Sequence, residues 1–565
     1  MPLFSTLQIA NNALIAAQLG LQVTGNNIAN AGVPSYVRQN LVLAPSPTQK
    51  YGGLLLGMGV SVEAVKQQID LFLDERLRNS NSDVASSEAQ SGVYTQLESI
   101  IGELGDTDLS TSLTKFFGSL NDILNQPDSV SVRNLAVLQG ATLTDDIRRL
   151  DARVRDVRDN VNQEITSHVD TINSLLKDIA KLNNQIVTVE GGGTSASDAV
   201  GLRDQRADKL GQLAQIMNIK VVEQETGDVT VFSGGDFLVF EGTAREVTTS
   251  YKSDRDLQVT EIRLAETDSP LAIVSGKLAG LTEARDQVLG GFLDRLDHLT
   301  KTLAFEFNKV YSSGQGLKGL TSATSEASVD SSTAALDHAG LTFTPVNGSF
   351  QIQVVNQQTG LTQTHEIRVD LNGLDSETSL ASLATAVDAI DGVAATVTAD
   401  RRLQISSESP LVAFSFANDT SGALAALGIN TFFTGNGASD LGVTASLRAD
   451  PSRFAASTGG IGEDTGNAEK LAALLNTPLA SEGNTTLAVL YDRMVGETTQ
   501  GAALTKSIAD GFKTFQTTLD GQRLAISGVN IDEEAIKMIG YQRMFQASAR
   551  FIKTINELLD VLVAL

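Results

Sequence analysis

The chain has no cysteine and no tryptophan, only four histidines and ten prolines in 565 residues, and just 5% aromatic residues. Without cysteine there is no disulfide scaffold, no thiolate metal site and no thiol nucleophile. Nothing can cross-link, either, in a chain that must be moved unfolded. The histidines at 168, 298, 338 and 365 lie far apart and form no H-E-x-x-H pair. His168 reads as a packing or surface residue. There is no G-x-x-x-x-G-K-[ST] and no G-x-S-x-G. Gly234-Gly235-Asp236-Phe237 reads as a hairpin turn, and the calcium-loop-like Asp370-Leu371-Asn372-Gly373-Leu374-Asp375 has Ala381 where a bidentate carboxylate is needed. These absences argue against an enzyme, and neither a cofactor nor a metal is expected. No run reaches the roughly 18–20 apolar residues of a membrane span. The N-terminus lacks the basic and apolar regions of an ordinary signal peptide.

Acidic residues are missing from the start of the chain. None precedes Glu63, and the first 62 residues carry just Arg38 and Lys50, although the whole chain has a formal charge of −25 and a pI near 4.6. Residues 535–565 are also weakly positive, with Lys537, Arg543, Arg550 and Lys553 against Glu557 and Asp560. The ends are expected to pack in a crowded interior while the acidic middle faces solvent. A polyanionic surface repels nucleic acid and anionic membranes, so neither is expected as a partner.

What is present is a pair of apolar seams at the two ends. Met538, Tyr541, Phe545, Ser548, Ile552, Ile555, Leu559 and Leu562 alternate in steps of 3 and 4, the coiled-coil spacing. Met544, Phe551, Leu558 and Leu565 form a second file beside it. Asn530, followed by Glu533, gives this helix a start like a capping box, and Asp532 and Glu534 suit its N-terminus. At the other end Leu3, Leu7, Ala10, Leu14, Ala17, Leu21, Thr24 and Ile28 step 4, 3, 4, 3, 4, 3, 4. As a helix that run spans about 39 Å. Asn26, Asn27, Asn30, Gly32, Pro34 and Tyr36 belong to a motif that ends it. The two seams are expected to be mutual partners, within one chain or between neighbouring copies.

Between the ends the pattern alternates. Residues 37–62 look extended, and 63–190 mostly helical, with a shorter helix to about 217. Residues 218–276 read as a small antiparallel β unit around the turn at 233–236. Helix resumes over 278–311, and 312–340 reads as a linker or extended wall. A β-rich block with one short helix fills 341–447, and helix returns at 467–476 and 485–527. At this length three or four domains are expected. The chain reads as a multidomain α+β protein with a terminal α-helical coiled coil, a long-helix bundle and outer β-rich domains; it goes out and returns so that both termini meet. The expected domains are 1–60 with 530–565, a terminal coiled coil; 61–217 with 277–318 and 452–529, a long-helix bundle; 218–276, a small β domain; and 319–451, an outer β-rich domain.

Two terminal stretches carry a resemblance. Leu21-Gln22-Val23-Thr24-Gly25-Asn26-Asn27-Ile28-Ala29-Asn30-Ala31 resembles the N-terminal motif shared by flagellar rod, hook and hook-associated proteins. Tyr541-Gln542-Arg543 through Ala547-Ser548-Ala549-Arg550 to Leu559 resembles their C-terminal motif. Inside, Gly57-Met58-Gly59-Val60, Phe116-Phe117 through Pro127 to Arg133, Leu202-Arg203-Asp204-Gln205-Arg206, Glu283-Ala284-Arg285-Asp286, residues 308–314 and Phe432-Phe433-Thr434-Gly435 occur in order. That set is similar to the flagellar hook-associated protein 1 family, which forms the first hook–filament junction. Val33-Pro34-Ser35-Tyr36-Val37 stands where the family usually has Thr-Pro-Gly-Tyr-Ser.

The resemblance implies a structural adaptor that assembles at the distal end of the hook and joins hook to filament, polymerising through its terminal helices as the inner layer of a tube. Alternatives are another axial flagellar protein of hook or filament type, or a secreted adhesin using the outer β domains. The implied partners are other copies of the chain in a ring, hook protein, the second hook–filament junction protein, and an export chaperone on the C-terminal region. The implied location is extracellular, in the flagellum, after type III export without a cleaved signal peptide.

Overall fold

The computed structural model describes residues 2–33, 36–51, 54–102, 108–374, 376–462 and 464–564. In chain order, helix α1 (Pro2–Ala29) leads to β1 (Gln39–Pro45), β2 (Gln49–Tyr51), β3 (Leu54–Leu56) and β4 (Val60–Gln67). Helices α2 (Leu71–Gly102), α3 (Leu109–Asn125), α4 (Val130–Val189) and α5 (Val200–Ile216) follow. Next come β5 (Lys220–Glu223), β6 (Val229–Ser233), β7 (Asp236–Phe240), β8 (Thr243–Ala244), β9 (Val247–Asp254) and β10 (Leu257–Leu264). Helix α6 (Lys277–Glu283) continues through a π turn into α7 (Gly290–Ser312).

The next stretch of chain holds β11 (Ser322–Thr324), β12 (Gly348–Asn356), β13 (Thr362–Val369), α8 (Leu380–Asp388), β14 (Val393–Val397), β15 (Leu403–Ser407) and β16 (Val412–Ala417). It goes on through α9 (Ala423–Leu427), β17 (Phe433–Thr434), β18 (Gly442–Val443), α10 (Ala445–Ala449) and α11 (Gly466–Ala473). The chain returns on α12 (Leu487–Ser527) and closes on α13 (Ile531–Ala564). This is the mixed helical and sheet architecture expected, with long helices at both ends.

The chain divides into two compact units. One comprises Met1–Val93, Asp159–Arg285 and Ala502–Leu565; the other comprises Tyr94–Arg158 and Asp286–Gly501. Helix α4, at 60 residues about 90 Å long, contributes its first half to the second unit and its remainder to the first.

In the first unit α1 lies against α13 and against β1 and β4, which pair antiparallel. Gly59, at φ +83°, lets the start of β4 approach α1: a Cβ there would stand 3.1 Å from Ile9. The expected β unit is two sheets, β5-β6-β7-β8 and β9-β10. Asn183 on α4 holds the first sheet, exchanging hydrogen bonds with both the N–H and the carbonyl of Val229. Asn162 and Asn173 grip β10 and β9 in the same way. These amides satisfy sheet edges that burial would otherwise leave unpaired.

In the second unit the motif aromatics converge. Phe116, Phe117, Phe307, Tyr311, Phe432, Phe433 and Phe454 form one packed cluster, with ring centroids 4.8–6.3 Å apart. Gly140 sits where a Cβ would strike the Phe432 ring at 2.5 Å. Arg133, almost fully buried, donates to the Pro127 and Phe454 carbonyls. Asn308 receives the N–H groups of Phe432 and Phe433 and donates to the Phe433 carbonyl.

The sheets β11-β15-β14 and β13-β12-β16 share a core with α8 and α9. Residues 312–340 are therefore not a linker or extended wall. β11 joins a sheet, and Val329, Leu336 and Ala339 are buried in that core. Their small polar neighbours bond inward, as Ser325 does to Leu403 and Ala327.

Candidate functional site

The residues singled out in the sequence gather on α1, α13 and the segment between α1 and β1. On α1 the fully buried face is made of small residues: Ala10, Ala16, Ala17, Gly20, Val23, Thr24 and Asn27. Leu7, Leu14, Leu21 and Ile28 flank it, half-buried. At Gly20 the backbone comes so close to Tyr541 that a Cβ would stand 2.5 Å from its ring. On α13 Glu534, Ser548 and Ile555 are buried; Met538, Tyr541, Ile552 and Leu559 are half-buried; Phe545 lies at the exposed edge. Pro34 and the side chains of Leu3 and Leu562 lie outside the described residues.

A polar knot closes the inner end of the pair. Asn27 Nδ2 donates to the Gln39 carbonyl and to Glu534 Oε2, both at 2.9 Å. Its Oδ1 accepts from Gln39 N–H at 2.9 Å and from the Tyr36 hydroxyl at 2.8 Å. The amide thus uses both donors and both acceptor positions. Glu534 Oε1 accepts from Arg38 Nε at 3.0 Å, Arg38 Nη2 at 2.7 Å and Lys537 Nζ at 3.1 Å.

Arg38 also reaches Glu533 at 2.7 Å, and its N–H donates to the Ser527 carbonyl at the end of α12. Asn530 caps α13 through Asp532 N–H and Glu533 N–H. The expected return arm of a capping box is replaced: the Glu533 carboxylate turns to Arg38. Asn30 bonds back to the Asn26 carbonyl and finishes α1, while Asn26 faces solvent.

The electrostatics follow from this geometry. Burial alone would raise the Glu534 carboxyl, but hydrogen bonds from Asn27, Arg38 and Lys537 outweigh it and hold the group below its ordinary value. Burial, with the charges of Asp204 and Glu534, pushes the Tyr36 phenol up to about 12. Burial likewise pushes Asp204 up to about 6, against hydrogen bonds from Val37 N–H and from Gln67 Nε2 at 2.6 Å. Asp204 lies beside a cleft of about 750 Å³ that includes Asn30, Tyr36 and Lys181 in its lining.

Its motif neighbours are structural. Arg203 forks onto Glu190 at 2.7 and 2.9 Å, and Arg206 bonds Asn183 and the Gly227 carbonyl. Among the described residues no three His, Cys, Asp or Glu side chains are gathered to hold a metal ion, and no helix is long and apolar enough to cross a membrane.

Arg38, Gln39 and Glu534 did not stand out in the sequence as members of one site. The available signal was the isolation of Arg38: an obligate cation in an otherwise nearly uncharged segment needs a carboxylate from elsewhere.

Outside the knot the pair is open. Ile536 (71% exposed), Phe551 (44%), Leu558 (52%) and Val561 (60%) line the outer side of α13, and Phe4 and Ile15 are exposed on α1. Chemically this is an interlocked helix pair with an uncovered apolar flank.

Comparisons with known proteins agree with this architecture. Residues 94–324 match the family described as flagellar hook-associated protein FlgK helical domain, and residues 521–565 match the flagellar basal body rod FlgEFG protein C-terminal family. The chain is 26% identical to flagellar hook-associated protein 1 of Salmonella typhimurium over 577 residues, covering 99% of each chain. It is 26% identical to that of Escherichia coli K12 (99% of each) and 24% identical to that of Bacillus subtilis (99% of this chain, 98% of the relative). Among solved structures it resembles the flagellar hook junction protein FlgK from Burkholderia pseudomallei, with a TM-score of 0.50 at 16% identity, over 80% of this chain and all of the other. Over almost its whole length, then, the chain is similar to flagellar hook-associated protein 1, and residues 94–324 match the helical-domain family described for that protein.

Proposed function

We propose that this structural protein of the flagellar hook junction assembles with copies of itself through the uncovered flanks of α1 and α13. One observation carries the reading: the helix pair is interlocked on its inner side by Asn27, Arg38 and Glu534, yet keeps large apolar side chains open on its outer side. Each such side chain gains about 1.5–3 kcal/mol on burial, so the flank favours a lattice of neighbours over solvent. Helix α1 has no charged side chain anywhere along it, so nothing on it opposes close packing.

Hook protein lies on one side of the resulting ring and the second junction protein on the other. An export chaperone covers the same C-terminal stripe beforehand, because an apolar stripe is a hazard in free solution. The chain works outside the cell, exported without a cleaved leader, and has no catalytic turnover.

The test is a double variant, Phe551→Asp with Leu558→Asp. Both positions are exposed, so the internal pair stays folded, as circular dichroism would report. Microscopy of isolated hooks from cells carrying the variant is expected to show hooks without filaments and without this protein. Normal filaments on those hooks would overturn the reading.

A further inference from the structure

We propose that Asn372 is a site of spontaneous deamidation, in which the neighbouring Glu377 carboxylate serves as the base. The inference is independent of how the chain assembles.

The chain contains three Asn-Gly pairs, at 347–348, 372–373 and 436–437, and of the three glycines Gly373 alone is exposed. Gly348 opens strand β12 opposite Val369, and a Cβ on it would stand 2.8–3.0 Å from Thr420 and Ser421. Gly437 N–H also faces a carboxylate, Asp440 at 2.9 Å, but Gly437 is buried, a Cβ on it would run into the Asp297 carboxylate, and the following Ala438 N–H is tied to that same carboxylate, so the backbone has no room to turn. Asn372 and Gly373 are instead exposed in the turn between β13 and α8, and a Cβ on Gly373 would meet nothing within 4 Å. The backbone there has room to rotate into the reactive geometry. Glycine, at φ +73°, adds no side chain to hinder attack through its nitrogen.

The polar groups of the turn suit the reaction. Gly373 N–H donates to Glu377 Oε1 at 2.5 Å, and Asn372 Oδ1 accepts from Leu374 N–H at 2.8 Å. The other oxygen of Glu377 is enclosed and takes no hydrogen bond among the described residues. Glu377 takes the Gly373 amide proton as that nitrogen attacks Asn372 Cγ and a C–N bond forms. The negative charge that develops on Oδ1 stays on the Leu374 N–H. Collapse breaks the Cγ–Nδ2 bond, and Nδ2 leaves with the transferred proton as ammonia. The resulting five-membered imide adds water at either carbonyl, giving aspartate or isoaspartate. The net change is one water in and one ammonia out, with no oxidant or reductant.

Incubation of the full-length protein near neutral pH, followed by peptide mass spectrometry, tests this. The peptide bearing Asn372 is expected to gain about 1 Da and to become a substrate for isoaspartyl methylation, while those bearing Asn347 and Asn436 stay unchanged. Glu377→Gln is expected to slow conversion at least about tenfold. A second readout needs no variant: with a carboxylate base the rate is nearly level across neutral pH, whereas hydroxide-driven attack climbs about tenfold per pH unit. Conversion at Asn347 or Asn436 ahead of Asn372, an unchanged rate in the variant, or the steep climb in the native protein would each overturn the proposal.

Discussion

Glu534 carries more than any other side chain at the junction of the terminal helices, because it is fully buried and still charged. A buried carboxylate is tolerated only when its oxygens are occupied, and Asn27, Arg38 and Lys537 occupy them. Since the folded carboxyl sits below its ordinary value of 4.5, the stability it contributes is fully present above that value. It is lost as pH falls through the lower, folded value. Glu534→Gln is therefore expected to lower stability at neutral pH by on the order of 2–3 kcal/mol and to flatten the acid limb of the stability profile. Denaturant melts of both proteins from neutral pH to below the glutamate range check this; parallel profiles would refute it. The ends of this network were legible only in part. Asn27 stood in a recognisable motif and Arg38 was an isolated charge, but Glu534 lies 507 positions from Asn27. No local spacing encodes a contact across that separation.

At the scale of elements, the 3-and-4 stepping at both termini correctly pointed to two long helices that pack together, but it favoured a different centre of contact. A stripe of leucines weighs more in a periodicity than a stripe of alanines. Yet close approach of two backbones selects small residues, so Ala10, Ala17, Gly20 and Thr24 lie innermost and Leu7, Leu14 and Leu21 sit at the flank. Two glycines in α1 separate propensity from packing. A Cβ added to Gly25 would meet nothing within 4 Å, whereas one added to Gly20 would meet the Tyr541 ring at 2.5 Å. Gly25→Ala should stabilise by about 0.5–1 kcal/mol, the ordinary helix-interior gain. Gly20→Ala makes the same gain but must displace a ring whose near carbon, Cγ, is itself only 2.7 Å away. Overpacking of that kind costs about 1–3 kcal/mol, so the net effect is destabilising. Chemical denaturation of the two single variants should give opposite signs; equal signs would refute the close approach.

At the scale of the whole molecule, the order helix, β, helix, β, helix was readable because period-2 and period-3.6 patterns alternate over long stretches. Assembly of the second core was not. Phe116, Arg133, Asn308 and Phe432 were visible as separate motifs, and only the fold brings them into one cluster. The Gly- and Ser-rich stretch 312–340 looked like a linker because its buried apolar members, Val329, Leu336 and Ala339, are few and widely spaced, and hydrogen bonds such as Leu403 N–H to Ser325 hold it in place.

That cluster draws on residues 94–158 and 286–501 alone, whereas α13 belongs wholly to the other unit. Tyr311, fully buried with its hydroxyl accepting the Ala455 N–H, reports on the second unit in a chain without tryptophan. Deleting residues 531–565 removes Glu533 and Glu534, which leaves Arg38 without a carboxylate and takes one of the two acceptors from Asn27 Nδ2, so the first unit should melt earlier. The near-ultraviolet signal of Tyr311 should keep its native transition, because every ring around it is supplied by its own unit. Near-ultraviolet and far-ultraviolet melts of the truncated chain, compared with a Tyr311→Phe control that assigns the signal, decide the matter. If the Tyr311 transition fell along with that of the first unit, the two units would have to be one cooperative body.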